Sequence, residues 1–104
     1  MAHRVRFDRD AEADLNRLYE WIRGQSGSAA VAQGYIRRIV ASCMGLHDFP
    51  ERGTKRDDIR PGLRTLGFER RATIAFLVED RRVTILRVLY GGRSTTALGR
   101  QRTV

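Results

Sequence analysis

Arginine is the side chain present in numbers and spacing that could do chemistry. Residues 50–64 read PERGTKRDDIRPGLR and hold Arg52, Lys55, Arg56, Arg60 and Arg64 around the chain's two prolines, Pro50 and Pro61. Further on, Arg70, Arg71, Arg87 and Arg93 lie in or beside strand-like runs. A guanidinium grips phosphate or carboxylate bidentately and stays protonated. It clamps an anion or stabilises a charged transition state, but it does not shuttle protons. Arginine alone therefore favours binding, or phosphoryl chemistry with proton transfer supplied from elsewhere. The plainer alternative is a set of surface ion pairs, such as Arg60 with Asp57 or Asp58, each worth ~0–1 kcal/mol.

Other reactive constellations are hard to assemble. His3 and His47 are the chain's histidines. His47 falls at the end of a helical pattern, where a cation suits the helix dipole. Neither stands between a nucleophile and an orienting acid, so no Ser-His-Asp set can be drawn. The lone Cys43 lies on an apolar stripe and reads as core. It forms no intramolecular disulfide and no zinc site by itself, and no metal motif is present. Adjacent Asp57 and Asp58 read as a solvated turn. Gly91-Gly92-Arg93-Ser94 after a strand is a weak anion-nest pattern. Tyr90, with an unperturbed pKa of about 10, is a poor base. The sequence implies no catalytic residue, cofactor or metal.

The formal net charge is +8, with 20 basic residues against 12 acidic ones. The surplus lies almost wholly in the second half: residues 49–104 carry thirteen basic and six acidic side chains. Such a skew points to a polyanionic or acidic partner, and direct binding to nucleic acid stays open. The N-terminal MAHRVRFDRDAEADL lacks the apolar core of a signal peptide. No run approaches the ~18 apolar residues of a membrane span. The expected location is the cytoplasm, with no membrane partner.

The 104 residues fit one small domain, with a polar, basic tail from about residue 94. Residues 3–7 alternate as a short strand. Asp8 or Asp10 can cap a first helix, with Ala11, Leu15, Leu18, Tyr19 and Ile22 at helical spacing and Gly24 and Gly27 ending it. Ser28 can cap a second helix with Ala32, Tyr35, Ile36, Ile39, Val40, Cys43, Met44 and Leu46 on its apolar stripe. The short gap makes the two an antiparallel hairpin. Pro61-Gly62 suits a type II turn. Residues 63–68, 72–79 and 82–90 follow as strands, with a tight turn at Asp80-Arg81 and an interior place for the last strand. The order β-α-α-β-β-β predicts an α+β domain, a helical hairpin on one face of a small, largely antiparallel sheet. The opposite face is expected to be open and partly lined by arginines.

Three segments together resemble the RelE/ParE toxin superfamily, and its ParE branch in particular: FDRDAEADLNRLYEWI, FPERGTKRDDIRPGLR and RATIAFLVEDRRVTILRVLYGGR. The likeness spans roughly residues 3–94 and is carried most specifically by DIRPGLR and the VLYGG strand end. It implies the toxin of a bacterial type II toxin-antitoxin system, encoded beside a small antitoxin that neutralises it, in a heterotetramer or larger complex. It implies an antitoxin segment along the helical hairpin and sheet, touching Leu15, Tyr19, Trp21 and Arg71. Target contacts are expected at Arg56, Arg60, Arg64 and Arg93. RelE-like members cut mRNA on the ribosome; ParE-like members inhibit DNA gyrase. Thr73 stands where RelE-like chains usually carry an arginine, and STTALGRQRTV after Arg93 holds no tyrosine. The resemblance thus favours a gyrase-inhibiting toxin over a nuclease. A ribosome-dependent mRNA endonuclease and a degenerate binding module are the alternatives.

Overall fold

The computed structural model describes residues 3–91. Strand β1 covers Arg4–Phe7 and helix α1 covers Arg9–Ser26. Asp8 is the N-cap by its extended backbone, and its carbonyl accepts from the Glu12 N–H at 3.0 Å. Asp10 and Glu12 place negative charge at the positive end of the helix dipole. Gly24 does not end the helix. With no Cβ crowding the turn it costs only propensity, and the chain stays helical to Ser26. The stop is Gly27, left-handed at φ 69°, whose N–H returns to the Arg23 carbonyl.

Ser28 then caps α2, Ala29–Met44, its hydroxyl accepting from the Val31 N–H at 3.2 Å. Ala32, Tyr35, Ile39 and Cys43 form the buried stripe of α2. Met44, expected on that stripe, is about half exposed, because the chain tightens into a 3-10 turn, Gly45–His47, that brings Leu46 into the core instead.

Strands β2 (Thr54–Lys55), β3 (Leu63–Phe68), β4 (Ala72–Glu79) and β5 (Arg82–Tyr90) complete a five-stranded sheet of order β1-β5-β4-β3-β2. The two-residue β2 was not legible in the basic, proline-flanked stretch that holds it. β1 runs parallel to β5, with Arg4 opposite Arg82 and Phe7 opposite Ile85. The other three pairings are antiparallel. β5 is therefore interior, as its two apolar faces require. Pro61-Gly62 forms the expected turn: Gly62 sits at φ 81° and the Leu63 N–H bonds the Arg60 carbonyl at 3.0 Å.

The β4–β5 register slips once. Ala75 pairs with Arg87 but Phe76 with Ile85, leaving Leu86 as a bulge residue. The slip puts Ile85 and Val88, three apart, both into the main core under the helices, with Ile74, Phe76 and Val83. It puts Leu86 and Leu89 together on the opposite face. That face is not the open, arginine-lined surface expected. Leu63, Ala75, Leu86 and Leu89 are buried there with Ile59 and Leu77 packed against them. The residues of β4 alternate Ile74 and Phe76 with Ala75 and Leu77, so both faces are apolar, and the 56–62 turn brings Ile59 to the second.

Candidate functional site

Two of the four arginines of residues 50–64, Arg56 and Arg64, are committed to their own loop. Arg56 forks onto Asp58, with Nε and Nη2 at 3.1 and 3.0 Å from the two carboxylate oxygens. That contact holds the Asp58 carboxyl below its ordinary range. Arg64 reaches back to the carbonyls of Glu51 and Arg52, the latter at 3.2 Å. Asp57 accepts the Gly62 N–H at 2.8 Å and so fixes the turn. The ion pair expected from Arg60 to these acids is not the one formed: Asp58 is taken by Arg56 and Asp57 by backbone. Among the described residues the Arg60 side chain makes no hydrogen bond or ion pair. Arg93 lies outside the described residues, as do the basic tail and most of the Gly91–Ser94 motif.

The residues expected to meet an antitoxin divide differently. Leu15 and Tyr19 are half-buried and pack on the main core. Trp21 is 50% exposed, its ring 5.2 Å from that of Tyr90. Arg71 is exposed at the β3–β4 turn, and its carbonyl accepts the Gly91 N–H at 3.0 Å. Tyr90 in turn meets Tyr35, edge to face at 5.8 Å, and Tyr35 meets Phe68 at 5.5 Å. These rings gather at the end of the sheet where β5 finishes.

A groove of about 640 Å³ opens beside them, between α1 and the last third of β5. Leu18, Trp21, Val88 and Tyr90 supply its apolar wall, and Asp14 and Arg17 its polar one. Asp14 is only 4% exposed. It accepts from Arg87 Nε at 2.7 Å and Nη2 at 3.0 Å, from Arg17 at 3.0 Å and from the Val88 N–H at 2.9 Å. The bond to Asp14 is the chief reason the Arg87 guanidinium holds its proton more tightly than usual. One carboxylate here faces two guanidiniums, while Glu20 on the same wall and Asp10, which acts on Arg87, add negative charge, so the groove holds both signs.

Sequence reasoning missed Asp14, although a signal was present. Asp14 falls on the same stripe as Ala11, Leu18 and Ile22, and an acid on an apolar stripe needs a buried cationic partner. The geometry offers recognition: cations, aromatic faces and a strand end. Among the described residues no group of three or more histidine, cysteine or acidic side chains gathers to hold a metal. No helix among them is long and apolar enough to cross a membrane.

Two helices laid on one face of a five-stranded mixed sheet, with this groove at the helix–strand seam, define a small α+β protein of the RelE/ParE toxin kind. The chain belongs to the ParE toxin family of type II toxin-antitoxin systems: the family model "ParE toxin of type II toxin-antitoxin system, parDE" matches residues 5–95. It is 32% identical over 94 residues to toxin ParE3 of Caulobacter vibrioides, covering 90% of this chain and 92% of that one. Its fold is similar to a solved chain of the chromosomal ParDE system of P. aeruginosa, with a TM-score of 0.75 and 27% identity. That likeness covers 86% of this chain and 97% of the other.

Proposed function

We propose that this ParE-family toxin acts by binding and inhibiting DNA gyrase rather than by cutting RNA, and that a cognate antitoxin neutralises it. The family match over residues 5–95 carries the reading. The local chemistry supports it. Arg56, Arg64 and Arg87 are spent on intramolecular bonds, which suits a rigid recognition surface better than a set of free catalytic cations. Of the target arginines expected in the 50–64 loop, Arg60 is the one whose side chain has no partner among the described residues.

The test mixes purified toxin with gyrase, ATP and plasmid. Loss of supercoiling with trapped linear DNA is the expected result, weakened by Arg60→Ala at unchanged melting temperature. Unchanged supercoiling and cleavage at large toxin excess, with the protein shown to be folded, would end the gyrase reading.

The second half of the proposal is an acidic antitoxin segment, suited to a chain of net charge +8. Trp21, Tyr90 and the groove between them are its expected seat, in an assembly of two toxins and two antitoxins or larger.

A further inference from the structure

The parallel pairing of β1 with β5 sets arginines from distant parts of the chain side by side. Arg4 lies opposite Arg82, and Arg6 opposite Thr84. Val5 and Phe7 pack on the main core, as do Val83 and Ile85. Successive side chains of a strand point to opposite faces. Arg4, Arg6, Arg82 and Thr84 therefore stand together on the sheet face away from the helices. Neighbouring strands lie ~4.8 Å apart and alternate residues of one strand ~7 Å apart, so three guanidiniums share one small area. All three arginines are exposed.

Acids border this group without pairing it off. Arg6 Nη2 stands 4.0 Å from Asp8, the outer limit of an ion pair. Glu79 lies opposite Arg82 on the β4–β5 ladder, and Asp80 follows in the turn beside the exposed Arg81. Even so, among the described residues the side chains of Arg4 and Arg82 make no hydrogen bond or ion pair. Like charges set opposite each other on neighbouring strands destabilise a sheet. No packing contact requires arginine at these solvent-facing positions, so the fold carries that cost without a structural return. The chemistry of the area narrows what it fits. No aromatic ring stands among the four residues, so a single strand has nothing on which to stack its bases. The neighbouring Leu77 and Leu86 are already taken into the cluster with Ile59, so a protein partner finds no free apolar anchor. Guanidiniums and a hydroxyl match the phosphate oxygens of a duplex.

We propose that Arg4, Arg6 and Arg82, with the Thr84 hydroxyl, form a site for the phosphate backbone of duplex DNA. The site goes beyond the gyrase reading and does not depend on it. Within that reading, it lets the toxin hold the DNA that gyrase carries.

Fluorescence anisotropy with purified toxin and a short, labelled, mixed-sequence duplex tests this. Each arginine on a phosphate adds about 0.9 to the slope of log affinity against log salt. Replacing both Arg4 and Arg82 by glutamine should flatten that slope by about 1.8 and weaken binding about tenfold or more. Arg23→Gln combined with Arg37→Gln removes the same charge from the helices and should leave the slope nearly unchanged. Because Arg4 and Arg82 repel each other, their double variant should melt at or above the parent's temperature by circular dichroism. Equal flattening by both variants would reduce the binding to overall charge and overturn the site. A single strand bound as tightly as the duplex would overturn it too. So would a lower melting temperature, which would assign the two arginines to the fold. A double variant that keeps DNA but loses the antitoxin would make the partner an acidic protein instead. Site-dependent duplex binding by a toxin that leaves gyrase untouched would end the gyrase reading and keep this one. Gyrase inhibition with an unflattened slope would do the reverse.

Discussion

Asp14 shows how much one side chain can hold. It ties α1 to β5 through Arg87, 18% exposed at its side chain, and through the Val88 amide. Removing one member of a buried pair leaves the other charge uncompensated and costs about 3–5 kcal/mol. Asp14→Ala should therefore lower the melting temperature by ~10 °C or more. Loss of less than ~1 kcal/mol in urea unfolding would show the pair to be dispensable. Two other buried groups set an alkaline limit. Burial pushes the Cys43 thiol from an ordinary 9.0 to about 12. Burial chiefly, with help from Tyr90 and Glu69, pushes Tyr35 from 10.0 to about 12. Both folded values lie above the unfolded ones. The stability they contribute is full below pH 9, where both are protonated in either state. It is lost as pH rises from 9 toward 12, because the unfolded chain ionises first. Urea midpoints should be flat from pH 7 to 8.5 as far as these groups are concerned, then fall. Cys43→Ala should move the onset of that fall upward, and an unmoved onset would count against the thiol.

At the scale of elements, the turns are where the backbone is most constrained. Gly53 holds φ 83°, and a Cβ there would run into the Thr65 carbonyl oxygen of the paired strand β3. Gly53→Ala combines a left-handed cost of about 1–2 kcal/mol with a backbone clash. It should destabilise the fold by at least that much, as measured by thermal melting, whereas Gly24→Ala, in open helix, should stabilise by ~0.5–1 kcal/mol. The hairpin at Glu69 and Arg70 is also left-handed, at φ 49° and 62°, without a glycine. There Glu69 is held by a forked bond to Arg38, with Nε at 2.9 Å. These details separate what the sequence shows from what it hides. Helices, three long strands and the Ser28 cap follow from periodicity and capping chemistry, which are local. The Leu86 bulge, the parallel seat of β1 and the covering of the second sheet face by Ile59 depend on partners far along the chain. So does Asp14: its stripe position is legible, but its partners at Arg87 and Val88 are known only once α1 lies on β5. The expected target arginines Arg56 and Arg64 illustrate the same limit, since their own loop absorbs them.

For the whole molecule, charge governs encounters. A chain of +8 meeting an acidic antitoxin segment should associate faster at low salt. Stopped-flow association rates of toxin and antitoxin should fall steeply from 50 to 500 mM salt, with dissociation changing less. A salt-independent association rate would mean that the skew toward the second half of the chain plays no part in recognition.

The parallel pairing of β1 with β5 has a consequence in time. Arg4 must wait for Arg82, and Asp14 for Arg87, before either finds its place. A ribosome adds ~5–20 residues per second, so for several seconds the growing chain carries its helices without the strand that closes the sheet. A chain ended at Asp80 should accordingly show no cooperative melting transition by circular dichroism; a sharp one would mean that the fold can close without its last strand. A toxin built this way cannot close its sheet while it is being made. The fold is complete only once its last strand has left the ribosome, and an antitoxin has that interval in which to be ready.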